Sequence, residues 1–458
     1  MTGTSCFTSC REWRSWFLNI TKSSLTKEVV LKISMVSEHA SPLAALGGVD
    51  AGGQNVHVAE LSSALVRRGH DVTVFTRRDD PQLPATTRFG PGVKLVHVDA
   101  GPASHVPKDE MLPWMPELAV GIVAQWGSNP PDIVHGHFWM SGVASLNAAT
   151  QCEQAGLRRP LVAETFHALG TVKRRHQGDA DTSPRERAEL EPWVGQSVDM
   201  AVATCSDEVF ELKAMGVQAR SIAVAPCGVD TALFTPHGPM EVRRRRYRIA
   251  TIGRLVPRKG VGTAVTALAL LAELGFADVE LMVVGGVGGP GGISKDPEAI
   301  RIMALANDLG VADRVIMRGQ LSREQIPALL RSVDAVVCTP WYEPFGIVPL
   351  EAMACGRPVV AAAVGGLKDS VVHGLTGLHV RPRNPQEVAE ALANVLRDPT
   401  LARQLGEAGV HRVQSRYTWD NVAAATEKIY SRMTLSRHRG PLQSKPADAG
   451  TMMEGWAQ

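Results

Sequence analysis

The sequence predicts an α/β protein built from two doubly wound parallel sheets that face each other across a cleft. Short apolar segments alternate with helical patterns along most of the 458 residues, which is typical of parallel sheets covered by helices. The alternation stops at Asp230 and restarts at Tyr247, which indicates a second domain. A glycine-containing turn follows the first predicted strand of each half, and such turns let the backbone approach a ligand closely.

The first half contains seven predicted strands. The first, Val29–Val36, leads through Ala51–Asn55 into a helix that ends at Arg68, so the chain begins with a strand–helix–strand unit. Helical patterns separate most of the strands that follow. These are Asp71–Thr76, Lys94–Val98, Asp132–His135, Pro160–Phe166, Met200–Thr204 and Ser221–Ala225.

The second half repeats the alternation without a strict sequence repeat. Its predicted strands are Tyr247–Ile252, Val279–Val284, Arg314–Arg318, Asp334–Cys338 and Pro358–Ala362. Its predicted helices are Arg258–Leu274, Pro297–Leu309, Ile347–Ala354, Gln386–Leu396, Pro399–Arg416 and Trp419–Arg432.

These elements predict where the domains begin and end. We expect a first domain at residues 28–240, a second at residues 247–416, and a helix at residues 417–435 that crosses back to the first domain. Residues 1–27 have no continuous apolar segment like that of a signal peptide, and residues 436–458 lack periodicity. We therefore expect a disordered extension and a disordered tail. The run Arg243–Arg246 between the domains is expected to be a solvated linker.

Composition narrows the class of protein. A net charge of +2 gives no argument for nucleic acid or for an acidic membrane surface. Seven scattered cysteines without a C-x-x-C pair are typical of a reducing cytoplasm and not of a disulfide scaffold or a structural zinc site. No apolar run approaches the roughly 18 residues that a transmembrane segment needs. We therefore expect a cytoplasmic globular protein.

The most informative segment is Trp341–Pro358, which follows a predicted buried strand. Glu343 lies in the loop after that strand, and Gly346 and Ile347 stand at the start of the next helix, where unpaired N–H groups and the helix dipole favour an anion. Glu351 lies about one turn into that helix. Two carboxylates around an anion site predict a phosphorylated ligand that is rich in hydroxyl groups.

Other candidate residues follow strands at the same sheet edges. Arg254 and Lys259 stand after the first strand of the second half, and two cations there can neutralise a diphosphate. In the first half Gly52, Gly53, His137 and His167 follow three different strands, so the two halves predict a cleft for a sugar joined to a nucleotide diphosphate. No cluster has metal-ligand spacing.

The chain resembles a known family at these same residues. Glu343 and Glu351 with Pro-Phe-Gly between them, the loop Gly253–Gly260 and the turn Gly52–Asn55 are similar to motifs of family 4 of the retaining nucleotide-sugar glycosyltransferases. The resemblance spans about residues 30–433. It implies the GT-B fold, in which two Rossmann-like domains face each other across a cleft. Within the family, the segments Ile133–Gly142 and Glu164–Lys173 are most similar to the inositol-phosphate glycosyltransferases of mycothiol biosynthesis and to sucrose-phosphate synthases.

The resemblance implies a role for each candidate residue. It implies transfer with retention of anomeric configuration, without a metal or another cofactor, and with UDP as the donor nucleotide and GDP or ADP as alternatives. The implied catalytic residues are His167, Glu343, Arg254 and Lys259. The implied donor-binding residues are Gly52, Gly53, Arg254, Lys259, Phe345, Gly346, Ile347 and Glu351. The implied acceptor-binding residues are Gln54, Asn55, Lys108, His137, Lys173 and Arg187.

The acceptor is predicted only as a class. Phe138 and Ala168 stand where the inositol-phosphate enzymes have Tyr and Thr, so two hydroxyl donors to an acceptor phosphate are absent. The expected acceptor is a small sugar or cyclitol, with or without a phosphate. A sucrose-phosphate-synthase-like enzyme and a glycosyltransferase of secondary metabolism or the cell envelope stay open. A nucleotide-sugar epimerase, a phosphorylase and a non-catalytic binding subunit are more distant alternatives, and a homodimer is an open alternative for the assembly.

Overall fold

The structure, a computed structural model, describes residues 30–43, 52–286 and 293–438. It contains two separate sheets, one in each half of the chain, joined to helices in alternation. The predicted α/β fold class is therefore confirmed. The extension predicted at residues 1–27, the predicted tail beyond residue 438 and most of the predicted loop at 285–292 lie outside the described residues.

The first sheet has eight strands in the order β3-β4-β2-β1-β5-β6-β7-β8. All neighbours are parallel except β3 and β4, so β3 is an antiparallel edge strand. The chain winds to one side of β1 and then to the other. The strands are β1 Lys32–Val36, β2 Asp71–Arg77, β3 Thr86–Phe89, β4 Val93–Val98, β5 Ile133–His137, β6 Leu161–Thr165, β7 Met200–Ala203 and β8 Ile222–Val224.

The second sheet has six parallel strands in the order β11-β10-β9-β12-β13-β14. Its first strand in the chain, β9, again lies where the winding direction reverses. Ligands of open parallel sheets bind at such reversal points, outside the carboxyl ends of the strands. The strands are β9 Tyr247–Ile252, β10 Val279–Val284, β11 Val315–Gly319, β12 Ala335–Cys338, β13 Val359–Ala362 and β14 Gly377–Val380.

Helices connect most of the parallel strands of each sheet, and three more helices follow β14. In the first half they are α1 Gly53–Arg67, α2 Met115–Trp126, α3 Trp139–Gln154, α4 Gly170–Gln177, α5 Arg187–Ser197 and α6 Ser206–Ala214. In the second half they are α7 Val261–Glu273, α8 Pro297–Asp308, α9 Ile326–Ser332, α10 Ile347–Ala354, α11 Leu367–Ser370, α12 Pro385–Arg397, α13 Pro399–Arg416 and α14 Trp419–His438.

Each sheet is buried on both faces. Neighbouring residues of β9 belong to different apolar clusters, with Ile249 on one face and Ala250 on the other. All six residues of β10 are buried, as expected for a central strand of a parallel sheet. Each fully buried Val or Leu side chain contributes about 1.5–3 kcal/mol, so continuous apolar strands position the loops at their ends firmly.

The last helix, α14, packs against the first half of the chain. Tyr430 is fully buried, and its hydroxyl lies 2.7 Å from Nδ1 of His135. Arg68 of the first half donates to Glu427 at 2.7 Å. The helix continues to His438, three residues past the segment predicted at residues 417–435 and six past the helix predicted at Trp419–Arg432. The two halves are therefore joined by a second connection besides the linker.

Two details differ from the sequence predictions. The edge strands β3 and β14 were not predicted. The residues of β3 are exposed or half-buried, and the four residues of β14 include a glycine and a histidine and lack a strong apolar pattern. The run Arg243–Arg246 is not a fully solvated linker, because Arg243 donates to both carboxylate oxygens of Asp334 at 2.9 Å and Arg245 donates to Asp313 at 2.6 Å. Alternate arginines therefore attach the linker to the second domain.

Candidate active site

A cavity of about 440 Å³ lies between the two sheets, at the carboxyl ends of their central strands. We call it the cleft cavity. Both halves line it, as the sequence predicted. The predicted site residues on its wall are Gly52, Gly53, Gln54, Lys108, His167, Arg254, Lys259, Glu343, Phe345, Gly346, Ile347 and Glu351.

Lys259 and Glu343 form a short ion pair on the second-domain wall. The loops that carry them are joined by a hydrogen bond from Trp341 N to Arg258 O of 2.8 Å. Burial alone would raise the pKa of the Glu343 carboxyl, but the charge and hydrogen bond of Lys259 outweigh it and hold this pKa below its ordinary value. Glu343 is therefore an anion that fixes the Lys259 ammonium beside the cavity.

Gly346 places the start of α10 at the cavity. Its φ of +77° is in the left-handed region, and an added Cβ would lie 2.9 Å from Leu367 Cδ2. The turn therefore requires glycine for its conformation and for space. The N–H groups of Ile347 and Val348 in the first turn of α10 lie at the positive end of the helix dipole, which attracts anions.

Glu351 lies behind this helix start. Burial raises the pKa of its carboxyl to about 7, and the nearby Arg323 guanidinium opposes that rise. Arg323 also lines the cavity and forms an ion pair with Glu60 of the first half. Arg323 was not among the residues predicted from the sequence. The sequence feature that could have identified Arg323 is its position in the loop after β11, at the same sheet edge as Glu343 and Lys259.

His167 lies on the opposite wall with φ of +60°, a conformation that few residues other than glycine adopt. Its ring centroid is 5.2 Å from that of Phe345 in the second domain. Burial and neighbouring histidines lower the pKa of His167 well below its ordinary value, so the imidazole is neutral. It can therefore exchange hydrogen bonds with a ligand without adding charge.

Asn55 and His137, predicted to contact the acceptor, do not line the cavity. Asn55 is 2% exposed and caps α1, accepting from Gly52 N at 2.9 Å and donating to Ser41 O at 2.9 Å. His137 is fully buried behind His167, with its Nδ1 2.9 Å from Nε2 of His167. Both residues therefore support the wall from behind.

Lys173 and Arg187 also lie outside the cavity wall. Lys173 lies 2.8 Å from Asp181, and the buried Arg187 lies 2.8 Å from Glu191. Both predicted phosphate-binding cations thus have carboxylate partners in this state. The guanidinium carbon of Arg187 also lies 4.9 Å from the ring centroid of Phe138, which does line the cavity.

Two observations concern membranes and metals. Within the described ranges, no helix is both long and apolar enough to span a membrane. Over the same part of the chain, no group of three or more His, Cys, Asp or Glu side chains is arranged to hold a metal ion.

Fold and site together define a class of protein. Two doubly wound Rossmann-like domains, with a cavity between their strand ends and a helix N-terminus beside two carboxylates, have the architecture of the GT-B glycosyltransferases. The comparisons agree with this assignment. A model of "Glycosyl transferases group 1" matches residues 240–412, and a model of "Glycosyltransferase Family 4" matches residues 51–233.

Full-length relatives identify the family. The D-inositol 3-phosphate glycosyltransferase of Xylanimonas cellulosilytica is 35% identical over 424 residues, which cover 89% of this chain and 98% of that relative. The enzyme of the same name from Acidothermus cellulolyticus is 34% identical over 432 residues, which cover 92% and 94%. The structure of sucrose-phosphate synthase from Thermosynechococcus elongatus superposes with a TM-score of 0.77 at 29% identity and covers 89% of this chain and 100% of that one. The chain belongs to family 4 of the glycosyltransferases, and the prediction that it is a glycosyltransferase is confirmed.

Proposed function

We propose that this glycosyltransferase moves a hexose or an N-acetylhexosamine from a nucleotide-diphosphate sugar to a small sugar or cyclitol acceptor in the cleft cavity. One observation carries the proposal: the Lys259–Glu343 ion pair, the start of α10 and His167 surround a single cavity. The Lys259 ammonium, which Glu343 holds in place, and the N–H groups at the start of α10 can donate hydrogen bonds to a diphosphate, and His167 supplies a neutral polar group for a sugar.

The donor occupies the second-domain wall in this proposal. Arg254 and Lys259 bind the diphosphate, assisted by the N–H groups at the start of α10. Glu351 accepts hydrogen bonds from the ribose hydroxyls, and the backbone at Phe345–Ile347 faces the transferred sugar. Gly53 approaches the phosphates from the first-domain wall in this proposal. A glycine suits this position, because an added Cβ would lie only 3.2 Å from Ile347 Cδ1. UDP is the proposed nucleotide, with GDP and ADP as alternatives.

The proposed reaction retains anomeric configuration. Departure of the nucleoside diphosphate leaves negative charge on a phosphate oxygen, and preorganised cations and N–H groups stabilise that charge in the transition state. The departing phosphate oxygen takes the proton from the attacking acceptor hydroxyl. We propose a metal-independent transfer, in which Arg254, Lys259 and the N–H groups at the start of α10 stabilise this charge.

The acceptor is proposed to enter along the first-domain wall. Gln54, Lys108 and Phe138 line this part of the cavity, and Lys108 can bind a phosphate there. The similar proteins are named for D-inositol 3-phosphate and for sucrose phosphate, which makes phosphorylated cyclitols and sugars the first acceptors to test. Lys173 and Arg187 would reach a phosphate only if their carboxylate partners released them.

The remaining organisation is proposed from the sequence. We propose a cytoplasmic enzyme with an acceptor domain at residues 28–240 and a donor domain at residues 247–416. The helix at residues 417–435 connects them, and the two domains close around the substrates. A homodimer is one form of assembly to test by light scattering.

The test is release of nucleoside diphosphate from a panel of donors, with sugar phosphates and cyclitol phosphates as acceptors and mass spectrometry of the product. Lys259→Ala and Glu343→Ala are each expected to lower release by about 100-fold or more, as when a charge-stabilising group is removed from other active sites. Lys213→Ala and Glu273→Ala are matched controls on exposed helix positions. Undiminished release by both cavity variants would refute the assignment.

A further inference from the structure

Helix α11 of the second domain contacts the start of helix α6 in the first domain. Asp369 of α11 accepts two hydrogen bonds from Ser206, one from its N–H at 2.5 Å and one from its hydroxyl at 2.7 Å. The neighbouring Lys368 lies 3.0 Å from Asp207. We call these four residues the α6–α11 contact. It is separate from the ion pair of Arg323, because α11 follows β13 and Arg323 follows β11, on opposite sides of β9.

Asp369 satisfies a donor that α6 leaves open. The first N–H groups of a helix have no partner within it, and the positive end of the helix dipole favours a carboxylate there. The first domain itself offers a weaker acceptor at this end, since the thiol sulfur of Cys205 accepts from Glu208 N at 3.4 Å. The charged acceptor for Ser206 comes from the other domain, so the contact exists only while the two domains lie close together.

Helix α11 is also packed against both ends of the loop that carries Glu343. Gly366 N donates to Glu343 O at 2.8 Å, and an added Cβ at Gly365 would lie 2.2 Å from the same oxygen. At the other end of the loop, an added Cβ at Gly346 would lie 2.9 Å from Leu367 of α11. Because there is no free space between them, a displacement of α11 would also move Glu343 and the start of α10.

The residue before Glu343 reaches the first domain as well. The ring of Tyr342 lies 5.5 Å from that of His176 in α4, nearly parallel to it, and packs against the apolar core of the first domain. The backbone of α11 is held within the second domain, where Asp369 O accepts from Arg412 at 2.6 Å. Glu343 therefore lies between a residue that is packed on the first domain and a helix that is attached to both domains.

We propose that Asp369 is a positioning residue, which binds Ser206 when the domains close and thereby fixes α11 and the Glu343 loop in the arrangement that the reaction needs. Asp369 does not line the cleft cavity, so it acts through Glu343 and not on the substrate. This inference rests on the proposed function for the reaction that Glu343 serves. The contact between the domains is a property of the protein without substrate.

Hydrogen–deuterium exchange of the full-length protein without donor tests the contact. Ser206→Pro removes both donors, while proline suits the first position of a helix and the extended backbone of Cys205 suits a residue before proline. Although the substitution is in the first domain, exchange at residues 341–346 and 363–370 of the second is expected to be about 3-fold faster or more. Equal exchange in this variant and the wild type would overturn the proposal.

Kinetics of Asp369→Ala test the positioning. This variant is expected to lower kcat by about 5- to 10-fold with donor KM within about 2-fold of wild type, because Glu343 loses alignment while the donor site stays complete. Asp369→Asn keeps an acceptor oxygen and should stay within about 3-fold of the wild-type kcat. Asp313→Ala removes an exposed carboxylate that pairs with Arg245 and is the control. A kcat equal to that of the control, or a change confined to donor KM, would overturn the proposal.

A double variant separates the contact from a local role of either residue. Ser206→Pro combined with Asp369→Ala should lose no more kcat than the more damaging single change, because both remove the same hydrogen bonds. Losses that multiply would overturn the proposal. If Ser206→Pro does not fold, Ser206→Ala replaces it in the exchange measurement and in the cycle, with a smaller effect. If no donor reacts, that result counts against the proposed function alone, and the exchange measurement decides the contact.

Discussion

Arg323 of the second half and Glu60 of the first meet across the cleft, with Arg323 Nη1 2.6 Å from Glu60 Oε1. Their side chains are 20% and 23% exposed, so water screens this ion pair only in part. Arg323 also acts on Glu351, whose carboxyl pKa it lowers against the effect of burial. The pair therefore connects the contact between the two halves to the carboxylate proposed to bind the donor ribose.

Breaking this ion pair is expected to weaken donor binding. Arg323→Ala should raise donor KM by about 3- to 10-fold, because a partly buried pair contributes on the order of 1 kcal/mol and Glu351 also loses a compensating charge. Glu60→Gln should have a smaller effect, since it leaves Arg323 beside Glu351. Arg301→Ala removes a pair with Glu298 on α8 and serves as the control. A donor KM in Arg323→Ala equal to that of the control would show that the cross-cleft pair does not contribute.

The pH dependence of donor use should report Glu351. Burial raises the pKa of this carboxyl to about 7, and its ionised form accepts the stronger hydrogen bonds from ribose hydroxyls, one at each oxygen, whereas protonation turns one oxygen into a donor. The donor kcat/KM of the wild type is therefore expected to rise between pH 6 and pH 8, because kcat/KM reports groups of the free enzyme. Glu351→Gln should have a lower kcat/KM that does not rise between pH 6 and pH 8. If the Gln variant showed the same rise as the wild type, Glu351 would be excluded as its source.

The same carboxyl gives a prediction for stability. A pKa of about 7 in the folded state lies above the ordinary value of 4.5, so the folded state binds the proton more tightly. Glu351 therefore destabilises the fold progressively as pH rises from about 4.5 to 7, and the penalty is complete above that range. Glu351→Gln should show a smaller loss of Tm than the wild type between pH 5 and pH 8. Parallel Tm curves for the two proteins would contradict this.

Alanine substitutions at Gly346 and Gly374 separate the effect of backbone strain on stability from the effect of the α10 position on activity. Gly346 and Gly374 have φ of +77° and +74°, so Ala at either position should cost about 1 kcal/mol or more of stability. An added Cβ at Gly374 meets open space, whereas one at Gly346 meets Leu367 and shifts the start of α10. Only Gly346→Ala should also lower kcat/KM, by about 10-fold or more. Thermal unfolding and donor kinetics of both variants test this, and equal activity losses would refute it.

Much of the fold could be predicted because the central strands are continuous apolar segments. β9 and β10 have the predicted limits, Tyr247–Ile252 and Val279–Val284. The edge strand Thr86–Phe89 was missed because only one of its sides pairs with another strand, so its residues stay partly exposed. Propensity and burial patterns are weak at such edges.

The cavity wall could be predicted wherever a polar residue follows a buried strand, as for Glu343 and Lys259. His137 shows where this rule fails. The predicted strand ended at His135, but β5 continues two residues further, so His137 is a strand residue on the same face as His135 and lies behind the wall. The ion pair of Arg187 with Glu191 could have been predicted from the sequence, since the two residues are one helical turn apart. The contact of Arg323 with Glu60 could not have been predicted in this way, because it depends on how the two domains pack against each other.

The central claim is that the cleft cavity binds the diphosphate of a nucleotide sugar, and titration calorimetry with nucleoside diphosphates tests it most directly. The account predicts that one of UDP, GDP and ADP binds the wild type and Lys213→Ala with equal affinity, and binds Lys259→Ala about 100-fold more weakly, since a fixed ammonium beside a diphosphate contributes a few kcal/mol. Equal affinity of all three proteins for that nucleotide, or no binding of any of the three nucleotides to the wild type, would contradict it.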